Sequence, residues 1–344
     1  MNYSVHTFEM KKYYRTWTEY NQVCEFIKSD AKENGYNILY NEGDKDIPVS
    51  KFKGCGIRVL MHTQYGCCCI RFIINLHAVL HTYDPMEIIS PDEAEEALDK
   101  ANDMLVGWLG PDYSIDKLTL TRVDCCVNVD VGSPEYVAAY IKQFYRTNAV
   151  KAFKTVNPKK QGFNKEAGYT AEYKAAGEEI SVYDKQKQVE YTRFGVSYPR
   201  AEGILRVEFR HKNESIRQSF GYGSERNREN ILYYIYNSRH IIKGKLEKFI
   251  VDADYYKTDK AQRLIIKKVT RGKLCNRMCR FVALVSKHRG ILRAREAHNA
   301  ENRQVTGKYY KVMRKAFGNI NVNPVPLPTA SEFKMLPSLF RFLE

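Results

Sequence analysis

Three short segments alternate apolar and chemically active side chains with a period of two. They are Leu120-Thr-Arg-Val-Asp-Cys-Cys-Val-Asn-Val-Asp130, Ile180-Ser-Val-Tyr-Asp-Lys-Gln186 and Ile204-Leu-Arg-Val-Glu-Phe-Arg210. A β-strand puts residues two apart on one face. The first strand then shows Arg122, Asp124, Cys126 and Asn128 together, and the second Ser181, Tyr183 and Lys185. The third shows Arg206, Glu208 and Arg210, with Leu205, Val207 and Phe209 turned the other way. If the three pair, two carboxylates, a tyrosine, a lysine and two or more arginines converge on one surface. Acid oxygens suit a hard cation, a hydroxyl is a nucleophile, and cations receive a phosphate.

The rest of the chain frames that surface. Ser4–Lys11 and Gly35–Tyr40 read as strands around a helix near Glu19–Glu33, and Gly56–His62 with Cys67–Leu76 as a hairpin. Ser90-Pro-Asp-Glu93 carries a capping-box signature, and Ala94, Leu98, Ala101, Leu105 and Trp108 follow at helical spacing up to Gly110-Pro111. Ser133-Pro134 opens a second helix to about Tyr145, and Lys151–Lys165 reads as a mobile loop. The expected fold is α+β: a largely antiparallel sheet with helices on one face and a site on the other, followed by a basic helical C-terminal region. The expected domains are 1–215, catalytic, and 216–344, helical and basic with a proline-containing tail. In the second, Glu225–Ile250 is a long helix with a break near Gly244. Thr258–Val269, Leu274–His298 and Gly307–Ala316 are further helices.

The net charge of +15 is concentrated. Between Arg263 and Lys315 stand sixteen Lys or Arg against two acids, and the remainder is close to neutral. Such an excess predicts a face for a polyanion, against the plainer reading of a solvated basic surface. In Leu274–His298 the stripe Leu274, Met278, Phe281, Val282 and Val285 leaves Arg277, Arg280, Lys287, Arg293 and Arg295 largely outside it, where they can meet DNA. Nine cysteines, some consecutive in apolar strands, read as reduced buried thiols of a cytoplasmic protein. No apolar run approaches the length of a membrane span. His77 and His81 lack the glutamate of a zinc-protease helix and read as structural. A phosphate-binding GxxxxGK[ST] loop is absent, which argues against a helicase.

On residue chemistry alone, Tyr183 reads first as a half-buried strand tyrosine with its hydroxyl hydrogen-bonded at the rim, because a phenol with a pKa of about 10 is a poor nucleophile without help. Asp124 and Glu208 sit among apolar strand residues and need partners there, either ion pairs with Arg122 and Arg206 or a metal. Glu190 is a candidate third oxygen ligand, and an all-oxygen set favours Mg²⁺ or Mn²⁺.

The order of the motifs Thr121-Arg-Val-Asp124, Ser181-Val-Tyr-Asp-Lys185 and Leu205-Arg-Val-Glu208 resembles the Rep_trans group of rolling-circle plasmid replication initiators. Filamentous-phage replication proteins and relaxases of integrative elements are its relatives. The resemblance spans roughly residues 70–212, and Arg71-Phe-Ile-Ile-Asn75 is similar to an upstream strand of the family. It implies that Tyr183 is a nicking tyrosine, that Asp124 and Glu208 help hold the divalent metal, and that Lys185 and Arg206 offset charge on the phosphate. Gln188 stands where the family has a glutamate, with Glu190 two residues on, and Asn128 replaces a second acid in the first strand. The implied activity is a metal-dependent nick at an origin, leaving a 5′-phosphotyrosine and a 3′-hydroxyl. The implied partners are origin DNA, read as duplex and cut as a single strand, and a host helicase and DNA polymerase in a bacterial cell; a homodimer is left open. The alternatives are a non-catalytic DNA-binding replication or regulatory protein, and a relaxase for conjugative transfer.

Overall fold

A computed structural model describes residues 3–40, 45–64, 67–147, 154–155, 169–192, 195–222, 225–301 and 307–344. Its centre is a nine-stranded sheet, antiparallel throughout. The strands are β1 (Tyr3–Tyr13), β2 (Asp46–Val49), β3 (Ile57–Gln64), β4 (Cys67–Ile74) and β5 (Thr119–Asp130). They continue with β6 (Lys154–Thr155), β7 (Thr170–Lys174), β8 (Glu178–Asp184) and β9 (Ile204–Lys212). Their order is β2-β3-β4-β1-β5-β9-β8-β7-β6. The three segments with period-two alternation are therefore adjacent, as β5, β9 and β8.

Alternation sorts each strand between two environments. Phe8, Met10, Phe72, Val123, Val127, Leu205, Val207 and Phe209 share one face and are buried. Helices cover that face: Arg228–Phe249 packs on β1, β5 and β9, Pro134–Thr147 on β7, β8 and β9, and Trp17–Asn34 on β4. The helix Arg228–Phe249 runs unbroken through Gly244, contrary to the sequence expectation, because Ile231, Ile235, Ile242 and Leu246 hold its apolar side against the sheet. Its start is fixed by a capping box between Asn227 and Asn230.

Several boundaries differ from the sequence reading. Gly35–Tyr40 contributes one isolated bridge, Ile38 to Val49, and the edge strand is β2 instead. Gly35 ends the preceding helix at φ 68°, where glycine carries no steric penalty. Ser90 gives its hydroxyl to Glu93 (2.7 Å) and does not cap the backbone, so a 3₁₀ turn precedes the helix Ala94–Leu109. The expected helix Leu274–His298 is two helices, Gly272–His288 and Ile291–Glu301, because Arg289 turns left-handed at φ 56° before Gly290. Most of Lys151–Lys165 lies outside the described residues.

Helices Thr258–Lys268, Gly272–His288, Ile291–Glu301 and Gly307–Asn319 form the C-terminal region. The chain end returns to the sheet domain: the Tyr140 hydroxyl donates to the Pro337 carbonyl (2.9 Å), and the Tyr3 hydroxyl to that of Leu343. No described helix is long and apolar enough to cross a membrane.

A candidate active site on the open face of the sheet

Register brings the predicted residues together. Tyr183 stands opposite Arg206, and Arg206 opposite Asn128. Glu208 stands between Ser181 and Cys126, and Asp124 opposite Arg210. All share the face that the long helices leave open.

Tyr183 donates its hydroxyl to Glu208 Oε1 at 2.9 Å. The same carboxylate lies 3.1 Å from Arg206 Nε and 3.8 Å from His6 Nδ1. Burial, and then the Glu208 charge, push the Tyr183 phenol well above its ordinary pKa. Tyr183 is 9% exposed, so only the edge of the site reaches the surface. Arg206 is wholly buried: Nη1 donates to the Pro85 carbonyl (3.2 Å) and Nη2 to Cys126 Sγ (3.0 Å). Its Nε is close enough to Glu208 for an ion pair, yet the N–H is not aimed at that oxygen and has no acceptor among the described residues.

Lys185 is not on the strand, as alternation had suggested. β8 ends at Asp184, whose side chain accepts from the Lys187 amide (3.0 Å), and a helix begins at Lys185. The turn still carries Lys185 into the buried cluster. It is 2% exposed, its Nζ donates to Gln188 Oε1 (2.8 Å), and burial together with Arg206 lowers its pKa to about 7 against the pull of Glu208. Gln188 thus faces Lys185. Glu190, the expected third ligand, accepts instead from Gln186 Nε2 (3.0 Å) and Lys187 Nζ (3.2 Å) on its own helix.

Asp124 is gripped by cations. Arg210 binds it through two nitrogens (2.8 and 3.0 Å), Arg122 lies at 3.3 Å, and the Thr7 hydroxyl donates at 2.9 Å. Both carboxylates are therefore ion-paired, and no group of three or more His, Cys, Asp or Glu that could hold a metal occurs among the described residues. As arranged, these side chains do not fit a divalent metal.

Sequence reasoning missed His6. The β1–β5 register shifts between Val5 and Thr7, leaving His6 at a bulge with its ring aimed at Glu208. Bulges re-aim side chains in this way, often beside active sites. Burial, then Arg206 and Lys185, lower the His6 pKa well below normal, so the ring is neutral. A shift of register leaves no mark in apolar/polar patterning, so nothing in the sequence pointed to it.

The basic helices place Arg277, Arg280, Lys287 and Arg293 on exposed surface. Arg295 is half-buried, its guanidinium 4.6 Å from the centre of the Tyr310 ring. The His77 and His81 rings lie 4.9 Å apart, tilted by 38°, and His81 pairs with Glu93 (2.8 Å).

No family model matches this chain, and no curated protein does. Among solved structures, the chain is similar to a rolling circle replication initiator protein from Geobacillus stearothermophilus. The identity is 13% and the TM-score 0.38, over 72% of this chain and 85% of that one. A similarity of this size assigns neither an activity nor a residue role here.

Proposed function

We propose that the chain is a replication initiator that nicks origin DNA through Tyr183. The observation that carries this reading is the 2.9 Å hydrogen bond from the Tyr183 hydroxyl to Glu208 inside a cluster of Arg206, Lys185 and His6. A hydroxyl within hydrogen-bond reach of a carboxylate pairs a nucleophile with its general base; with no phosphate bound, burial and the Glu208 charge keep the phenol protonated.

Tyr183 Oη attacks phosphorus, Glu208 takes the phenolic proton, and the P–O3′ bond breaks. The products are a 5′-phosphotyrosine and a 3′-oxygen that Lys185, with a pKa of about 7, protonates. Arg206 offsets charge on the phosphate oxygens. Asp124 and Glu208 already hold arginines, so Mg²⁺ or Mn²⁺ finds no ready ligand set here. The exposed basic residues Arg277, Arg280, Lys287 and Arg293 would bind duplex origin DNA, and a host helicase and DNA polymerase would act on the nicked product.

The test uses single-stranded oligonucleotides tiling the replicon that encodes the chain. Wild type should cut one of them to leave a 3′-end that a polymerase extends, and Tyr183→Phe should not. Cutting by Tyr183→Phe would remove the tyrosine from the mechanism.

A second reading, a non-catalytic DNA-binding protein, is favoured by the burial of Tyr183 and by the ion-paired state of both carboxylates. It predicts salt-sensitive duplex binding with no cut strand.

A further inference from the structure

A cavity of about 570 Å³ opens on the same sheet face, beside β1, β3 and β4. His6 and Thr7 belong to its lining, and the same His6 approaches Glu208 while the same Thr7 holds Asp124. The cavity therefore begins where the tyrosine's charge cluster ends. Apolar and aromatic groups dominate its wall, notably Phe52, Ile73 and Tyr83, and Arg58 stands at its exposed mouth. Phe52 is fixed edge-on against Trp108 at 5.3 Å, so that part of the wall is preformed. Arg58 makes no ion pair among the described residues.

A second cleft of about 360 Å³ lies on the same face on the other side of Asp124. It is lined by Lys11, Arg71, Arg122, Arg210 and Lys212 against two acids, Glu9 and Glu179. One face thus offers cations held in ion pairs with Glu9, Asp46, Asp124 and Glu179, a tyrosine beside a base, and a largely apolar pocket with a guanidinium at its rim. Single-stranded nucleic acid has the matching parts: a charged backbone, and flat bases that stack on aromatic groups and hydrogen-bond at their edges.

We propose that the pocket beside His6 takes one unstacked nucleobase of the strand whose phosphate lies at Tyr183. The inference rests on the strand-transfer reading above and deepens it. Phe52 and Tyr83 receive the faces of the base, and Arg58 reads an acceptor on its edge. The base in the pocket fixes which phosphate reaches Tyr183, so the pocket sets the sequence beside the nick.

The experiment is an abasic scan. Once the cut phosphate is mapped, each nucleotide on either side is replaced in turn by an abasic residue, and covalent adduct yield is measured. Wild type and Tyr83→Ser/Arg58→Gln are compared; both positions are exposed, so the variant should fold. The expected result is about a tenfold loss at one position in wild type, absent from the double variant. Adduct formation with a flat scan overturns the pocket and leaves the nicking tyrosine standing. No adduct with any oligonucleotide overturns both.

Discussion

Lys185 offers a test of the site that needs no substrate. Its ammonium is buried, and its pKa falls from 10.5 to about 7. The unfolded chain, whose lysine titrates near 10.4, binds more protons than the folded chain between pH 7 and that value. Stability therefore rises with pH across this window, and below pH 7 the full cost of the buried charge remains. Each pH unit between the two values is worth about 1.4 kcal/mol, which sets an upper limit of roughly 4–5 kcal/mol. Relaxation around the charge and its attraction to Glu208 reduce this, so Lys185→Met should stabilise the chain by roughly 2–4 kcal/mol at pH 6. By pH 9 wild type has shed the proton, and the advantage should shrink by about 2–3 kcal/mol. Urea unfolding of both proteins at pH 6, 7, 8 and 9 reads the difference directly, and groups distant from Lys185 cancel in it. An advantage that does not change with pH, or a variant less stable at pH 6, would refute the account of Lys185 as a poised proton donor.

Arg206→Met strips the buried ion partner from Glu208 and should cost about 3 kcal/mol; a loss below about 1 kcal/mol would mean the pair contributes little. Mn²⁺ should raise the melting temperature by less than about 1 °C, because the carboxylates already hold arginines; a rise of several degrees would mean that they re-pair around the ion. Replacing Arg277, Arg280 and Lys287 by serine should weaken duplex binding and flatten its salt dependence by up to about 3 in log–log slope. An unaltered slope would move the duplex face elsewhere.

The alternation in β5, β8 and β9 was legible because a half-exposed strand must turn every second residue toward solvent. That rule alone placed Tyr183, Arg206, Glu208 and Asp124 on one face, where the register pairs them. The competing expectation for the carboxylates, ion pairing with Arg122 and Arg206, is also what their contacts show, with Arg210 added. What escaped reading depends on register or on a single turn. The bulge that aims His6 needs knowledge of the partner strand. The strand-to-helix change at Asp184 did carry a local signal, since an aspartate three residues before Lys187 can cap a helix; the period-two pattern running through Lys185 masked it. Arg289 shows the reverse case: Gly290 follows it, yet the left-handed turn falls on the arginine, which propensity disfavours.

A Tyr183 that nicks DNA becomes covalently joined to it. The most direct measurement is mass spectrometry of tryptic peptides from the protein after reaction with its origin strand. One peptide containing Tyr183 should carry a 5′-phosphonucleotide, and no such peptide should come from Tyr183→Phe. A modified peptide that maps to another tyrosine, or cut DNA with no modified peptide at all, would contradict it.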